Sequence, residues 1–351
     1  MSALKSRISH PLTDTPDPRL KPFTGFGSNP GDLIARSYVP AELHASAPLV
    51  VVLHGCTQSA SSYNRGAGWT SAADEHGFAL LFPEQQRANN PNLCFNWFSA
   101  ADAGRGHGEA LSIAQMMQHL CRLHDLARRR VYVTGLSAGG AMAAAMLATY
   151  PEVFAGGAVI AGLPFGSATT VPEAFERMRG QSGLAPEQLT SLVRSATNHS
   201  GKRPTLSVWH GSSDRTVDPS NAAALVDHGR GLHGVAVAPT ATEMVKGQLR
   251  RIWCNEDGAE VIKEYRIDDM GHGTPIDPSP ANKGEAAGPH MLDVGISSTR
   301  RLVGFWGLHR TDKPAQPAAP RPAPEYKDST PPHVAARNVS AQRPLSRTTK
   351  V

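Results

Sequence analysis

Three short stretches of this 351-residue chain hold residue types whose spacing suits nucleophilic chemistry. The first is Gly135-Leu-Ser137-Ala-Gly139-Gly-Ala-Met142, a G-x-S-x-G pattern that follows the run Arg130-Val-Tyr-Val-Thr134 and opens an Ala-rich stretch. A serine hydroxyl is a weak nucleophile until a neighbouring base activates it. On a sharp strand-to-helix bend it projects toward such a base, and small flanking residues leave room for the strained backbone that the bend demands. A helix starting at Ala138 would also aim its N-terminal amides at the site, favouring a developing anion. The alternative is a Gly-rich helix start with a buried serine; the pattern alone has false positives, and the strand–helix context is what gives it weight.

The partners of such a serine are expected downstream, in the order serine, acid, histidine. Thr205-Leu-Ser-Val-Trp-His210 reads as a strand, and the turn after it carries Asp214 and Asp218. Asp214 lies just beyond the strand end, within reach of the mouth of the sheet, and is assigned as the orienting acid. Asp218 precedes Pro219 and an Ala-rich segment, the pattern of a helix N-cap with proline at N1, and is assigned a structural role. His272 sits between Gly271 and Gly273 after the run Val261 to Ile267, and is assigned as the base. It would take the Ser137 proton and return it to a leaving alcohol while Asp214 fixes its tautomer. His54 and His210 come too early in this order and read as packed rings bonded to loop carbonyls. Backbone N–H groups of Ala138 and of Cys56, in the loop His54-Gly55-Cys56-Thr57, are the expected oxyanion donors; the Cys56 thiol has no necessary part.

Such residues need a scaffold that brings strand ends together. Leu49 to Leu53 is a continuous apolar run, as in a strand buried on both faces. Thr70 to His76 reads as a helix stopped by Gly77, and Phe78 to Phe82 as a strand. Glu109 to Leu126 carries a helical apolar stripe, and Arg130 to Thr134 is a strand leading to the Ala-rich helix. Ala155 to Ile160, Thr205 to Trp209 and Val261 to Ile267 add three more strands, while Val171 to Ser200 looks helical and suits a small cap. This alternation predicts an α/β domain over about residues 30–310, with a mainly parallel sheet and helices on both faces. Residues 1–29 are expected to form a mobile arm and 311–351 a disordered, Pro-rich basic tail, since neither can bury enough surface to offset ordering entropy.

Composition removes several classes. Four cysteines cannot scaffold a chain of this length, and no apolar stretch is long enough for a transmembrane helix. The formal net charge is +5, but residues 311–351 hold seven basic and three acidic residues, so the body is near neutral and a nucleic-acid partner is not expected. No cysteine spacing suits zinc, His272 has no i+4 ligand partner, and no metal or cofactor is expected. Met1 to Leu20 lacks the apolar core of a secretory signal.

Leu53-His-Gly-Cys-Thr-Gln-Ser59, Pro83-Glu-Gln85, Asn96-Trp-Phe98, Gly135 to Met142, Ala161-Gly-Leu-Pro164 and Gly271-His-Gly-Thr-Pro275 together resemble the polyhydroxybutyrate depolymerase family of esterases. These are α/β-hydrolases that also include feruloyl and acetylxylan esterase relatives, and the resemblance runs from about Arg36 to Leu308. It implies a serine carboxylesterase acting on short-chain polyester or, alternatively, on plant-wall esters, with Ser137, Asp214 and His272 in the roles above. It also implies an extracellular or cell-envelope location, although the missing signal leaves the cytoplasm open. The absence of a dedicated polymer-binding module favours short or soluble esters. A disulfide between Cys56 and Cys94 is implied as well; two reduced thiols are the alternative. Cys121 reads as a small core residue, and Cys254 has no assigned role. Trp97, Phe98, Leu163 and Phe165 are expected to wall an acyl pocket, against the alternative of ordinary loop packing. Trp69 and Trp306 read as core. A silent binding protein on the same scaffold is the alternative of another class; it would be favoured by loss of a triad member, and none is missing. Oligomeric state is left open.

Overall fold

The computed structural model describes residues 15–309 except Ser182. The proposed tail and residues 1–14 of the proposed arm lie outside the described residues. Strands are β1 (Lys21–Pro22), β2 (Ile34–Tyr38), β3 (Leu49–Leu53), β4 (Ala79–Glu84), β5 (Val131–Leu136), β6 (Phe154–Ile160), β7 (Thr205–Gly211), β8 (Ala241–Val245), β9 (Gln248–Cys254), β10 (Glu260–Ile267), β11 (Thr274–Ile276) and β12 (Met291–Asp293). Helices are α1 (Ala60–Ala67), α2 (Trp69–His76), α3 (Ala100–Ala103), α4 (Gly108–Leu123), α5 (Ala138–Thr149), α6 (Val171–Met178), α7 (Pro186–Ser195), α8 (Ser220–His233) and α9 (Ser298–Phe305).

Ten strands form one sheet in the order β1-β2-β4-β3-β5-β6-β7-β10-β9-β8. From β4 to β10 every neighbouring pair is parallel, and antiparallel strands close both edges. Side-chain alternation explains the continuous apolar runs. Leu49, Val51 and Leu53 of β3 join one core with Ile113 and Met117 of α4 and Met142 of α5. Val50 and Val52 point to the other face, where they meet Tyr63 of α1, Trp69 of α2 and Leu302 of α9. A strand buried on both faces cannot alternate apolar with polar. Helix α5 is buried all round apart from Leu147, as its almost wholly apolar sequence requires.

Two expectations are corrected here. Residues 15–29 are not a free arm: Leu20 is 4% exposed, β1 pairs with β2, and buried Asp17 receives Asn64 Nδ2 at 2.8 Å and the Arg19 guanidinium at 2.9 Å. A few apolar and paired charged side chains suffice where the body offers preformed partners. The region after α8 also holds the unanticipated antiparallel strands β8 and β9, joined through Lys246 and Gly247, both at positive φ.

Candidate active site

Ser137 is the single residue between β5 and α5, with φ 56° and ψ −119°, a conformation costing on the order of 1–3 kcal/mol. It is held there because its N–H bonds to Ile160 O at 2.9 Å, and its own carbonyl accepts from Ala141 N–H at 2.9 Å. Gly139 permits the close approach behind it: a Cβ there would lie 2.4 Å from the His54 carbonyl oxygen. The bend is thereby locked against the end of β3.

Because β5, β7 and β10 run parallel, the residues that follow them emerge at the same end of the sheet, beyond the C-terminal ends of these strands. Asp214 follows β7 and is 5% exposed; His272 follows β10. His272 Nδ1 donates to Asp214 Oδ2 at 2.7 Å, leaving Nε2 free for proton transfer. Main-chain bonds stitch the two loops together, from Ser212 N–H to Ile267 O at 2.9 Å and from Ser213 N–H to Met270 O at 3.0 Å. Gly211 allows this: a Cβ would meet Met270 O at 2.1 Å. Beyond His272, β11 pairs with β12, and His290 Nδ1 donates to the His272 carbonyl at 3.2 Å. The Ser137 hydroxyl makes no hydrogen bond among the described residues, so base and acid are joined while the serine contact is unmade. Contacts of this kind commonly tighten only when substrate binds.

Burial by itself would raise the Asp214 pKa, but hydrogen bonds from His210 and His272, the electrostatic pull of the His272 ring and the Val217 N–H outweigh it. The carboxyl is held well below the usual carboxylate range. Its Oδ1 accepts from Thr216 N–H at 2.8 Å and Val217 N–H at 2.9 Å, while His210 Nε2 lies 3.4 Å from Oδ2. Asp218 has a different task, accepting Ser220 N–H at 2.9 Å where α8 begins. Sequence spacing had assigned His210 only to loop carbonyls. It does contact Val217 O at 2.8 Å, but it also faces the acid, a contact visible only once the turn is folded.

On the opposite side of the bend, Cys56 is disulfide-bonded to Cys94, 38 residues away, as the resemblance implied. Neither the Cys56 nor the Ala138 N–H is donated to a protein acceptor among the described residues. His54 is buried and neutral: burial drives its pKa down, its Nε2 accepts Gln85 N–H at 3.1 Å, and its Nδ1–H donates to Gly55 O at 2.8 Å. Trp97, Phe98, Leu163 and Phe165 belong to one apolar cluster beside these loops. Leu163 is 1% exposed and belongs to the core, which corrects its assignment as a wall. Trp97 is 7% exposed and meets Phe98 edge-on at 5.7 Å; Phe98 and Phe165 stay half-buried. Among the described residues no cluster of His, Cys, Asp and Glu is arranged to hold a metal.

A mainly parallel open sheet with a serine on a strand–helix bend and an acid–histidine pair beyond later strands defines an α/β-hydrolase. The chain belongs to the esterase PHB depolymerase family, whose sequence pattern matches residues 35–249. A poly(3-hydroxyalkanoate) depolymerase C from Paucimonas lemoignei is 42% identical over 291 residues, 82% of this chain and 70% of that one. A feruloyl esterase B from Talaromyces stipitatus is 29% identical over 269 residues, 74% of each chain. Among solved structures, an acetyl xylan esterase from Aspergillus awamori superposes with a TM-score of 0.70 at 25% identity, covering 82% of this chain and 99% of that one. The protein is a hydrolase of carboxylic ester bonds.

Proposed function

We propose that Ser137, Asp214 and His272 are the catalytic triad of a serine carboxylesterase that cleaves short-chain polyhydroxyalkanoate polyester or its oligomers. The observation that carries this reading is the 2.7 Å bond from His272 Nδ1 to the buried Asp214, at the end of the sheet where strained Ser137 emerges. His272 Nε2 accepts the Ser137 proton as Oγ attacks the ester carbonyl carbon. The oxyanion is met by the N–H groups of Ala138 and Cys56, and the ester C–O bond breaks as His272 protonates the departing alkoxide. Water then gives a proton to His272 and attacks the acyl carbon, releasing the acid and restoring Ser137. Phe98 and Phe165 are the half-buried rings available to an apolar acyl group.

The polyester substrate is favoured by similarity to the depolymerase, and a catalytic body over residues 30–310 fits the extent of that similarity. Likeness to the acetyl xylan esterase supports plant-wall esters as a second reading. The disulfide supports an oxidising, extracellular compartment. Ser137→Ala is expected to abolish hydrolysis of short p-nitrophenyl esters with the circular dichroism spectrum unchanged; retained turnover removes the triad. Product analysis on polyester film, acetylated xylan and feruloylated arabinoxylan separates the substrates. Failure of a fluorophosphonate to label the protein, with polymer binding intact, would favour a binding role.

A further inference from the structure

We propose that Glu109 is a positioning residue for the oxyanion donor at Cys56, acting through the Asn90–Asn96 loop and the Cys56–Cys94 disulfide. This rests on the ester-hydrolysing site above and adds a residue outside it. Glu109 stands in the first turn of α4, where an acid is ordinarily solvent-exposed and helped by the helix dipole. Here the residue is 1% exposed. Its Oε1 accepts Gln85 Nε2 at 2.6 Å and Asn96 Nδ2 at 2.8 Å, and its Oε2 accepts Asn96 N–H at 2.9 Å.

Both partners lead to the oxyanion loop. Gln85 Nε2 also donates to Cys94 O at 3.1 Å, and Cys94 is bonded to Cys56. The Gln85 backbone N–H meets His54, whose ring holds Gly55 O. From Asn96 the chain of contacts runs through Asn90 Nδ2 at 3.0 Å, then from Asn90 Oδ1 to Asn92 N–H at 3.0 Å. Asn92 O in turn accepts Thr57 N–H at 2.7 Å. Gly55, Cys56 and Thr57 are therefore each tied to groups that Glu109 gathers.

The chemistry asks for a carboxyl group at this position, whose two oxygens can both accept hydrogen bonds whether it is ionised or protonated. All three partners are N–H donors, and only a group with two acceptor oxygens satisfies both sides. A glutamine would turn its NH2 toward a donor. Burying an acid among neutral amides is costly, and burial pushes Glu109 up to about 8 despite the hydrogen bonds it receives. A hub that served only to fill space would be better made of apolar side chains.

The test uses the full chain and reads kcat and KM on p-nitrophenyl butyrate, the Ki of an alkyl boronic acid that forms a tetrahedral serine adduct, and the thermal midpoint. Glu109→Gln is expected to lower kcat by about 10- to 100-fold, as a shift of an oxyanion donor by a fraction of an ångström would. It should weaken the boronate by a similar factor while KM stays within about twofold. Asn96→Ala, which removes the side-chain arm of the same hub, should give the same split and stands in if Glu109→Gln does not fold. Wild-type kcat in whichever variant folds, or a boronate Ki that does not follow kcat, overturns the proposal. Ser137→Ala is measured alongside. Activity retained there overturns the site itself, whereas activity lost there with unchanged kcat in the hub variants overturns the positioning role alone.

Discussion

Asp214 and Glu109 are both buried carboxyl groups, and their surroundings drive them in opposite directions. Asp214 sits in a tight turn where two main-chain N–H groups and two imidazoles converge on it, so it stays ionised far below the ordinary range. Burial, with Asp102 adding repulsion, pushes Glu109 up to about 8 against the hydrogen bonds it accepts from Gln85 and Asn96. The contrast separates two duties. In the proposed site one flank holds a charge that orients a base; the other holds a loop in place with a covalent link and a polar hub. A hydrogen-bonded carboxylate can serve either purpose, and the environment decides which.

The largest effect is expected from breaking the charged flank. Asp214→Asn should lower kcat by about 10⁴-fold with the fold retained, because the amide offers His272 a donor and reverses its tautomer. The sign of the linked pH effect follows from the lowered pKa. Below its unfolded value of 3.8 the carboxyl binds a proton only when unfolded, so the stability it contributes is lost as pH falls. Acid unfolding of Asp214→Asn should lack that part of the slope, measured by urea denaturation from pH 5 to pH 2.

Cutting the covalent link on the other flank comes next. Cys94→Ala frees a closed loop spanning 38 residues, and the chain-entropy model puts the lost stabilisation at about 4 kcal/mol. The urea midpoint reports it, and kcat should fall more than KM rises. A midpoint unchanged in this variant would mean that the hub holds the loop without the disulfide.

The smallest effect is a slope. Burial pushes Glu109 from its ordinary value of 4.5 up to about 8, so the folded state binds the extra proton between these values. Its contribution to stability therefore falls as pH rises through that window. Glu109→Gln should flatten the fall in urea midpoint between pH 5 and pH 8. An unchanged slope would assign that pH dependence elsewhere, with Glu285, pushed up to about 7 by burial, the next group to substitute.

Much of this design was legible beforehand. The strand–bend–helix around Ser137, the glycine stop at Gly77 and the buried runs of β3 and β5 are local patterns, because backbone strain, capping and strand burial act over a few residues. The hairpin of β8 and β9 escaped because its turn, Lys246-Gly247, lacks the usual Asn-Gly or Asp-Gly signal. Ordering of residues 15–29 escaped because Asp17 finds its partner at Asn64, far along the chain.

Residue order alone therefore determined which alcohol stands on the bend, which acid and histidine follow it in the order such a site requires, and that strands must alternate with helices. Tertiary structure decided that the acid meets His210 as well as His272, that Leu163 belongs to the core, and that Glu109 gathers Gln85 and Asn96 beneath the disulfide. Local patterns obey short-range sterics and can be read along the chain, whereas a buried polar group takes its role from partners that only folding brings within about 3 Å.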